Sequence, residues 1–245
     1  MENLMFAGRN ISASHVAFAS TRVMGTVGVI GQACGTAAAI AVKFGITPRE
    51  VGTLRIDELR DTLLEDDCFI PGTARKNYPL TSNASLTAEY GDPSALRSGT
   101  DRRVFGSDNG YFGKTGKAIT YSFPEKTHVS GFRIIADSDL DREQIDGNPD
   151  LMHIPMPLFR ARAYNNTSFG FPKSMLKSFV IEARARGGDW HTVYEENNNY
   201  QRLIRTAVDF DADEVRLIPL STWGSEELCN TYGSAVAHLF SFDLY

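Results

Sequence analysis

The sequence predicts a mainly β protein in which an antiparallel β-sandwich follows a short helical segment. Three observations support this fold class. Residues 24–44 form one run of small and apolar side chains, which is typical of a helix. From about residue 84 apolar and polar residues alternate, as in KSFVIEARAR at 177–186. The candidate strands are short, are separated by turn sequences such as GSDNG and GGDW, and have no helical pattern between them, which favours antiparallel pairing.

The chain begins with two predicted elements. Residues 3–8 (NLMFAG) are predicted as a short strand, and residues 24–44 as a helix that is buried on all sides. Within this helix Gln32 is the polar side chain that stands out. A membrane span is the less favoured alternative, because the run is short, is built of Ala, Gly and Val, and is closed by Lys43.

Local signals predict two further helices before the β region. Thr47 can cap a helix whose first residue is Pro48, and Glu50 completes a capping box three residues after the cap. Asp57 is predicted to cap another helix, which should end near residues 65–67.

Changes in composition divide the chain into three predicted parts. Residues 1–70 are the helical part, residues 71–83 a polar linker, and residues 84–245 the β-sandwich. Besides the strand at 177–186, the candidate strands are SLTAEY, KAITYSF, HVSGFRIIA, LFRARAY, DWHTVYE, YQRLIRTAV, DEVRLIPL and VAHLFSFDLY.

Bulk composition argues against several functions. The net charge of −5, without a basic run interleaved with aromatics, argues against nucleic-acid binding. Cys34, Cys68 and Cys229 show no CxxC spacing, so a disulfide framework is not expected, although one bridge stays open. The histidines lack zinc-ligand spacing, and no G-x-S-x-G or HRD sequence occurs, so we predict no metal ligands and no catalytic residues in this chain.

The acidic stretch ADSDLDREQIDGNPD partly matches the pattern of a calcium-binding loop. Asp137, Asp139 and Asp141 have the spacing of a calcium-binding loop. Arg142 stands where such a loop needs Gly, and Asn148 where it needs Glu. We therefore interpret the stretch as a solvated loop.

The start of the chain has the order strand, loop and helix that suits an anion. A helix that begins among Gly and Thr offers unpaired N–H groups and partial positive charge, and Arg22 adds a formal charge beside it. The glycines alternatively serve only to allow close helix–sheet packing. The residue pattern leaves both interpretations open.

The stretch GRNISASHVAFASTRVMGTVGVIGQACGTAAAIA resembles the final βα unit of a family of bacterial FAD-dependent oxidoreductases, over about residues 3–65. The resemblance implies that the loop and the helix start face the isoalloxazine and ribityl part of FAD. The implied cofactor-binding residues are Gly8, Arg9, Asn10, Ser12, His15, Arg22, Val23, Met24 and Thr26. Gly25 departs from the family pattern, which usually has proline there.

The same resemblance implies a larger flavoprotein. Such enzymes hold the ADP half of FAD on a G-x-G-x-x-G unit, and the sequence contains no G-x-G-x-x-G. We expect this chain to be the C-terminal portion, to lack its N-terminal FAD-binding partner region, and neither to bind FAD nor to be catalytic by itself. Residues 1–65 should pack on the sandwich, self-associate through the 26–44 helix, or be poorly ordered.

The β region resembles a discoidin-type, galactose-binding-like jelly roll, which makes the predicted sandwich a jelly roll and the helical segment a remnant of an α/β FAD-binding domain. The segments KAITYSFPEKTHVSGFRII, SFVIEARARGGDWHTVYE and HLFSFDLY carry this resemblance. It implies a carbohydrate ligand on loop aromatics, for which the candidates are Tyr111, Phe112, Trp223 and Tyr232. Trp190 is predicted to lie in the core, and Ser241 stands where such modules often place a calcium-binding glutamate.

The sequence leaves several functions of the β region open. The sandwich can serve interdomain packing instead of sugar binding. A polysaccharide lyase is a third possibility, which would need a Tyr/His/Arg cluster in a cleft. The localisation is unknown; a periplasmic or secreted bacterial protein is compatible with a signal upstream of Met1.

Overall fold

The computed structural model describes residues 2–104, 106–138, 171–225 and 235–245. The chain divides into two compact units, Met1–Lys76 and Asn77–Tyr245, which we call the helical unit and the β-unit. The predicted strand LFRARAY, at residues 158–164, lies outside the described residues.

The helical unit contains four helices: α1 at His15–Thr21, α2 at Met24–Phe44, α3 at Pro48–Leu54 and α4 at Ile56–Glu65. The prediction of a strand at residues 3–8 is wrong, because these residues form no strand. A single short strand without a partner leaves its backbone groups unpaired, so it has little to stabilise it.

The cap prediction for α3 is confirmed, and the cap prediction for α4 is wrong. The Thr47 hydroxyl accepts the Glu50 N–H at 3.3 Å, and the Glu50 carboxylate accepts the Thr47 N–H at 2.7 Å, which confirms the capping box. The cap predicted at Asp57 is wrong, since α4 begins at Ile56 and Asp57 lies in its first turn. There the Asp57 carboxylate still faces the positive end of the helix.

Helix α2 is less buried than its composition predicts. Ala37, Ile40 and Ala41 are its buried residues, and they pack with Val51 of α3. The expectation of burial on all sides is therefore wrong. In the described part of the chain, α2 alone is long and apolar enough to cross a membrane, with a mean hydropathy of 1.5, and length and composition by themselves are weak evidence for a span. Self-association through this helix stays a prediction.

The β-unit begins with helix α5 at Pro79–Asn83, which falls in the stretch interpreted as a linker. Strand β1 (Ser85–Ala88) and a 3₁₀ helix (Pro93–Arg97) follow. The remaining strands are β2 (Tyr111–Lys114), β3 (Ile119–Ala136), β4 (Leu176–Arg184), β5 (His191–Glu196), β6 (Leu203–Thr222) and β7 (Val236–Leu244).

The strands form one antiparallel sheet in the order β2-β7-β3-β6-β4-β5, and β1 pairs with β3. Four predicted strands merge into two long ones: KAITYSF and HVSGFRIIA become β3, and YQRLIRTAV and DEVRLIPL become β6. Register shifts between β3 and β6 near residues 122–127 and 129–131 interrupt the ladder, as expected where a long strand bends. The mainly antiparallel β fold preceded by helices is confirmed.

Alternate residues of these strands fill one apolar core. Ile119, Tyr121, Phe132, Phe179 and Leu217 are fully buried, and the Tyr121 hydroxyl donates to the Phe242 carbonyl at 2.8 Å. Since each apolar side chain removed from water contributes about 1.5–3 kcal/mol, this core is the main source of stability in the β-unit.

Candidate functional site

Several chain segments meet at one end of the β-unit. The His238 carbonyl accepts the Asp137 N–H at 2.9 Å, and the His238 N–H donates to the Ser174 carbonyl at 3.3 Å. The Trp223 N–H donates to the Met175 carbonyl at 3.2 Å. We call this region the His238 end; it consists of residues 101–112 (without 105), 137–138, 171–175, 222–225 and 235–239.

His238 is the buried centre of this end. Its Nδ1 lies 2.7 Å from Asp137 Oδ2, and its Nε2 lies 3.0 Å from Asp108 Oδ1. Asp108 also accepts the Gly110 N–H at 2.9 Å and pairs with Arg103 at 3.3 Å. The imidazole is therefore held between two carboxylates from different segments.

Phe112 covers the imidazole as a flat platform. Its ring stacks on His238 with a centroid distance of 4.1 Å and an interplanar angle of 2°, and Phe112 is 47% exposed. Strand pairing sets this contact, because Phe112 lies opposite His238 in the β2–β7 ladder. A side chain at Gly110 would overlap the imidazole, so this position requires glycine.

A second stack lies at the same end. Phe171, also 47% exposed, stacks on Trp223 at 4.2 Å and 24°. The Trp223 indole N–H donates to the Asn199 carbonyl at 2.8 Å, and the Lys177 ammonium lies 4.7 Å from the Trp223 ring centre. Sequence reasoning missed Phe171. Its one signal was its place beside Pro172, outside the alternating pattern.

The other two predicted sugar-contacting aromatics have different outcomes. Tyr111 is 3% exposed, and its hydroxyl donates to the Tyr90 carbonyl inside the protein. Burial, with a smaller contribution from Tyr90, raises the pKa of Tyr111 to about 12. This burial disfavours Tyr111 as a ligand contact, because β2 turns it away from the face that carries Phe112. Tyr232 lies outside the described residues.

A buried ionic network lies beside the His238 end and anchors Asp101. The fully buried Arg133 lies 3.0 Å from Asp101 and 3.8 Å from Asp243, and it donates to the Ser241 hydroxyl at 3.0 Å. Arg202 donates to the Asp101 carbonyl and, at 3.1 Å, to the Ala136 carbonyl. Since Ala136 directly precedes Asp137, the network anchors the backbone beside one of the two carboxylates that contact the imidazole.

The core prediction for Trp190 is wrong, and the interpretation of the acidic stretch at 136–150 as a solvated loop stays a prediction. Across the described ranges, no group of three His, Cys, Asp or Glu side chains could hold a metal ion, and Asp139 and Asp141 lie outside those ranges. Trp190 is half-buried rather than part of the core. The guanidinium groups of Arg184 and Arg216 lie 4.3 and 4.2 Å from its ring centre, so cation–π contacts hold it on the strand surface.

The structure places the predicted FAD-contacting residues of the loop as follows. Gly8 has a φ of +109°, which L side chains rarely adopt, and Arg9, Asn10 and Ser12 are exposed. His15 is not in the loop, since it opens α1 behind the cap Ser14. The FAD role of all these residues stays a prediction.

The start of α2 has no side-chain cap. Val23 occupies the cap position without a side-chain hydrogen bond, and Met24 and Thr26 in the first turn are exposed. The Arg22 guanidinium lies 3.7 Å from the Phe18 ring centre, and no acceptor among the described residues reaches its buried Nε. Around Gly25 there is open space where a side chain would lie. These donors suit an anionic or carbonyl-rich group.

The two parts of the chain are similar to different known proteins. Residues 1–63 match the model of the FAD dependent oxidoreductase family. No curated protein matches the chain.

The rest of the chain resembles family 32 carbohydrate-binding modules in structure. The module of Streptococcus pneumoniae EndoD has 9% identity and a TM-score of 0.44, and the match covers 68% of this chain and 97% of that one. The module of C. perfringens NanJ, solved with galactose, has 10% identity, a TM-score of 0.42 and coverages of 67% and 95%. A chitosan-binding module from a Paenibacillus species has 13% identity, a TM-score of 0.41 and coverages of 69% and 99%.

Proposed function

We propose that residues 1–63 form one side of the FAD site of a flavin-dependent oxidoreductase. The match of these residues to the family model carries the proposal. The uncapped start of α2 and the Arg22 guanidinium support it, because they supply N–H donors for the oxygen atoms of a flavin. FAD, when bound, accepts a hydride from a substrate, and this segment binds and orients it.

We further propose that this chain alone neither holds FAD tightly nor catalyses the reaction. One exposed loop and one helix start provide few contacts, and the G-x-G-x-x-G sequence that holds the ADP half in such enzymes does not occur in the chain. The missing contacts would come from the region that completes the FAD site.

An NMR titration of the full chain with FAD tests the first proposal. Amide signals should shift at residues 8–15 and 22–28, and Arg22→Gln should weaken the shifts at 22–28. Arg49→Gln is the matched control, because Arg49 is an exposed arginine in the same unit. Shifts that are absent, or that spread without preference for these residues, would refute the assignment.

Carbohydrate binding by the β-unit is the second candidate function. The two exposed phenylalanine platforms at the His238 end favour it, since flat aromatic faces pack against the C–H faces of sugar rings. Two structurally similar modules from C. perfringens were solved in complex with galactose and with GalNAc-β-1,3-galactose. We therefore propose Phe112, Phe171 and Trp223 as sugar contacts.

A glycan array, followed by calorimetry on the best ligand, tests this second function. Phe112→Ala and Phe171→Ala should each lower the affinity by up to about tenfold, the loss expected for one stacking contact. Trp190→Ala should leave the affinity unchanged, because Trp190 sits in the turn between β4 and β5, away from the His238 end. Equal losses in all three variants, or no binding to any glycan, would argue against the function.

A further inference from the structure

The two aromatic platforms of the His238 end lie on different backbone segments. One is Phe112 on β2, and the other is Phe171 stacked on Trp223, which we call the Trp223 platform. Phe112 and Phe171 are each 47% exposed, so a ligand can reach both rings. The distance between the platforms decides whether one sugar ring or only a longer glycan can contact both.

Backbone pairing sets the separation of Phe112 from the Trp223 platform. Phe112 lies opposite His238, whose N–H points away from β2 because it donates to the Ser174 carbonyl at 3.3 Å. The next carbonyl in the chain, that of Met175, accepts the Trp223 N–H at 3.2 Å. Since paired backbone segments lie about 4.8 Å apart, these three steps separate Phe112 from Trp223 by on the order of 10–14 Å.

A line of side-chain contacts holds the two platforms on one framework. The Phe112 ring stacks on the His238 imidazole, and His238 Nδ1 lies 2.7 Å from the Asp137 carboxylate. The Ser174 hydroxyl donates to the same carboxylate at 3.4 Å. Ser174 follows Phe171 by three residues, so the chain that carries the second platform is tied to the residues beneath the first.

Each platform also has a charged hydrogen-bonding group beside it. The Asp108 carboxylate contacts the imidazole that Phe112 covers, and it pairs with Arg103; both side chains are partly exposed. At the Trp223 platform, the Lys177 ammonium lies 4.7 Å from the indole ring centre. A flat apolar face beside donors or acceptors is what a sugar ring needs, because one face of the ring is C–H and its edges are hydroxyl groups. Each platform is therefore equipped as a separate subsite.

We propose that the His238 end binds an oligosaccharide across two subsites, with one sugar ring on Phe112 and a later ring of the same glycan on the Trp223 platform. A single sugar ring is shorter than the separation of the platforms, so it contacts only one of them at a time. A glycan of several rings contacts both, and the second contact forms within the same complex, which raises the affinity. This inference rests on the proposed carbohydrate function and adds the length of the ligand to it.

A length series of the best ligand from the glycan array tests the two subsites. Fragments from the monosaccharide to about six sugar units are titrated into the full chain by calorimetry, and the shortest fragment that binds measurably is the reference. The affinity should rise by about tenfold at the length that reaches both platforms, the gain expected for one further stacking contact, and should then level off.

The platform variants separate a lost subsite from a lost fold. Phe112→Ala and Phe171→Ala should each still bind the reference fragment at the remaining platform, and each should lose the gain with length. A variant that fails to fold would lose both. Trp190→Ala, in the turn between β4 and β5, should keep the whole gain.

The outcomes distinguish this inference from the function on which it rests. If sugars bind the wild type with an affinity that does not depend on length, or if the gain persists in both platform variants, the two-subsite inference is overturned and the carbohydrate function stands. If no fragment of any length binds, the carbohydrate function is refuted, and this inference with it.

Discussion

The two units of the chain contrast in sequence signal and in packing. Residues 1–63 carry a motif long enough to match a family model, yet the buried core of the helical unit is small and gathers around Ala41 and Val51. The β-unit carries no sharp motif, yet most of its strands contribute to one large core. Contacts with a cofactor require particular residue types at fixed positions, whereas a sandwich core accepts many apolar combinations. A long sequence motif therefore indicates that particular residue types are required at particular positions, and it says little about the stability of the unit.

The largest expected effect tests the core of the β-unit. Phe179→Ala removes a fully buried ring that contacts Phe132 and Tyr194, and it should lower the free energy of unfolding by about 3–5 kcal/mol. Leu220→Ala, at an exposed position of β6, should stay within about 0.5 kcal/mol. Urea unfolding followed by circular dichroism measures both. Similar losses in the two variants would contradict the proposed core.

A somewhat smaller effect concerns the buried ion pairs. Arg133→Met leaves Asp101 and Asp243 without their shared cation, so it should cost about 3 kcal/mol. Lys117→Met breaks an exposed pair with Glu89 and should cost less than about 1 kcal/mol. The same unfolding experiment applies. A cost for Arg133→Met as low as that for Lys117→Met would show that the network adds nothing to stability.

Alkaline pH should weaken the β-unit through Tyr111. Burial raises the pKa of Tyr111 to about 12 from an ordinary value of 10.0, so between these values the unfolded chain has lost a proton that the folded protein keeps. Stability should therefore fall as the pH rises from about 10 to about 12. Tyr111→Phe should remove this part of the fall and cost about 1 kcal/mol at neutral pH through the lost hydrogen bond. An unchanged alkaline fall in Tyr111→Phe would show that other groups cause it.

The smallest expected effect lies on the acid side. The hydrogen bond from Arg184 lowers the pKa of Glu214 below its ordinary value of 4.5, with a further contribution from Ser122 and opposed by burial. The unfolded chain then takes up a proton before the folded protein does, so this contribution to stability is lost as the pH falls below that value. Glu214→Gln and Arg184→Met should both reduce the loss on acidification, by less than about 1 kcal/mol. If only one of them does so, the pair is not its source.

Local sequence signals predicted local structure well, as the capping box at Thr47 shows. The prediction failed where the answer depends on distant partners. Alternation places Tyr111 and Phe112 on opposite faces of β2, but only the pairing with β7 determines which of the two is buried. The stack of Phe112 on His238 joins residues that are far apart in the chain, and no local pattern contains that contact. The prediction that Trp190 lies in the core is wrong for the same reason, since its two cationic partners, Arg184 and Arg216, lie on the neighbouring strands β4 and β6.

The most direct test of the proposal that the helical unit forms only one side of an FAD site is a visible absorbance spectrum. The purified 245-residue chain is incubated with excess FAD and desalted, and flavin absorbance is measured against protein concentration. We expect the flavin to be lost on desalting, because in the proposed function residues 1–63, which match the family model, form only one side of the FAD site. Retention of about one flavin per chain would contradict the account, since the chain would then hold a complete FAD site.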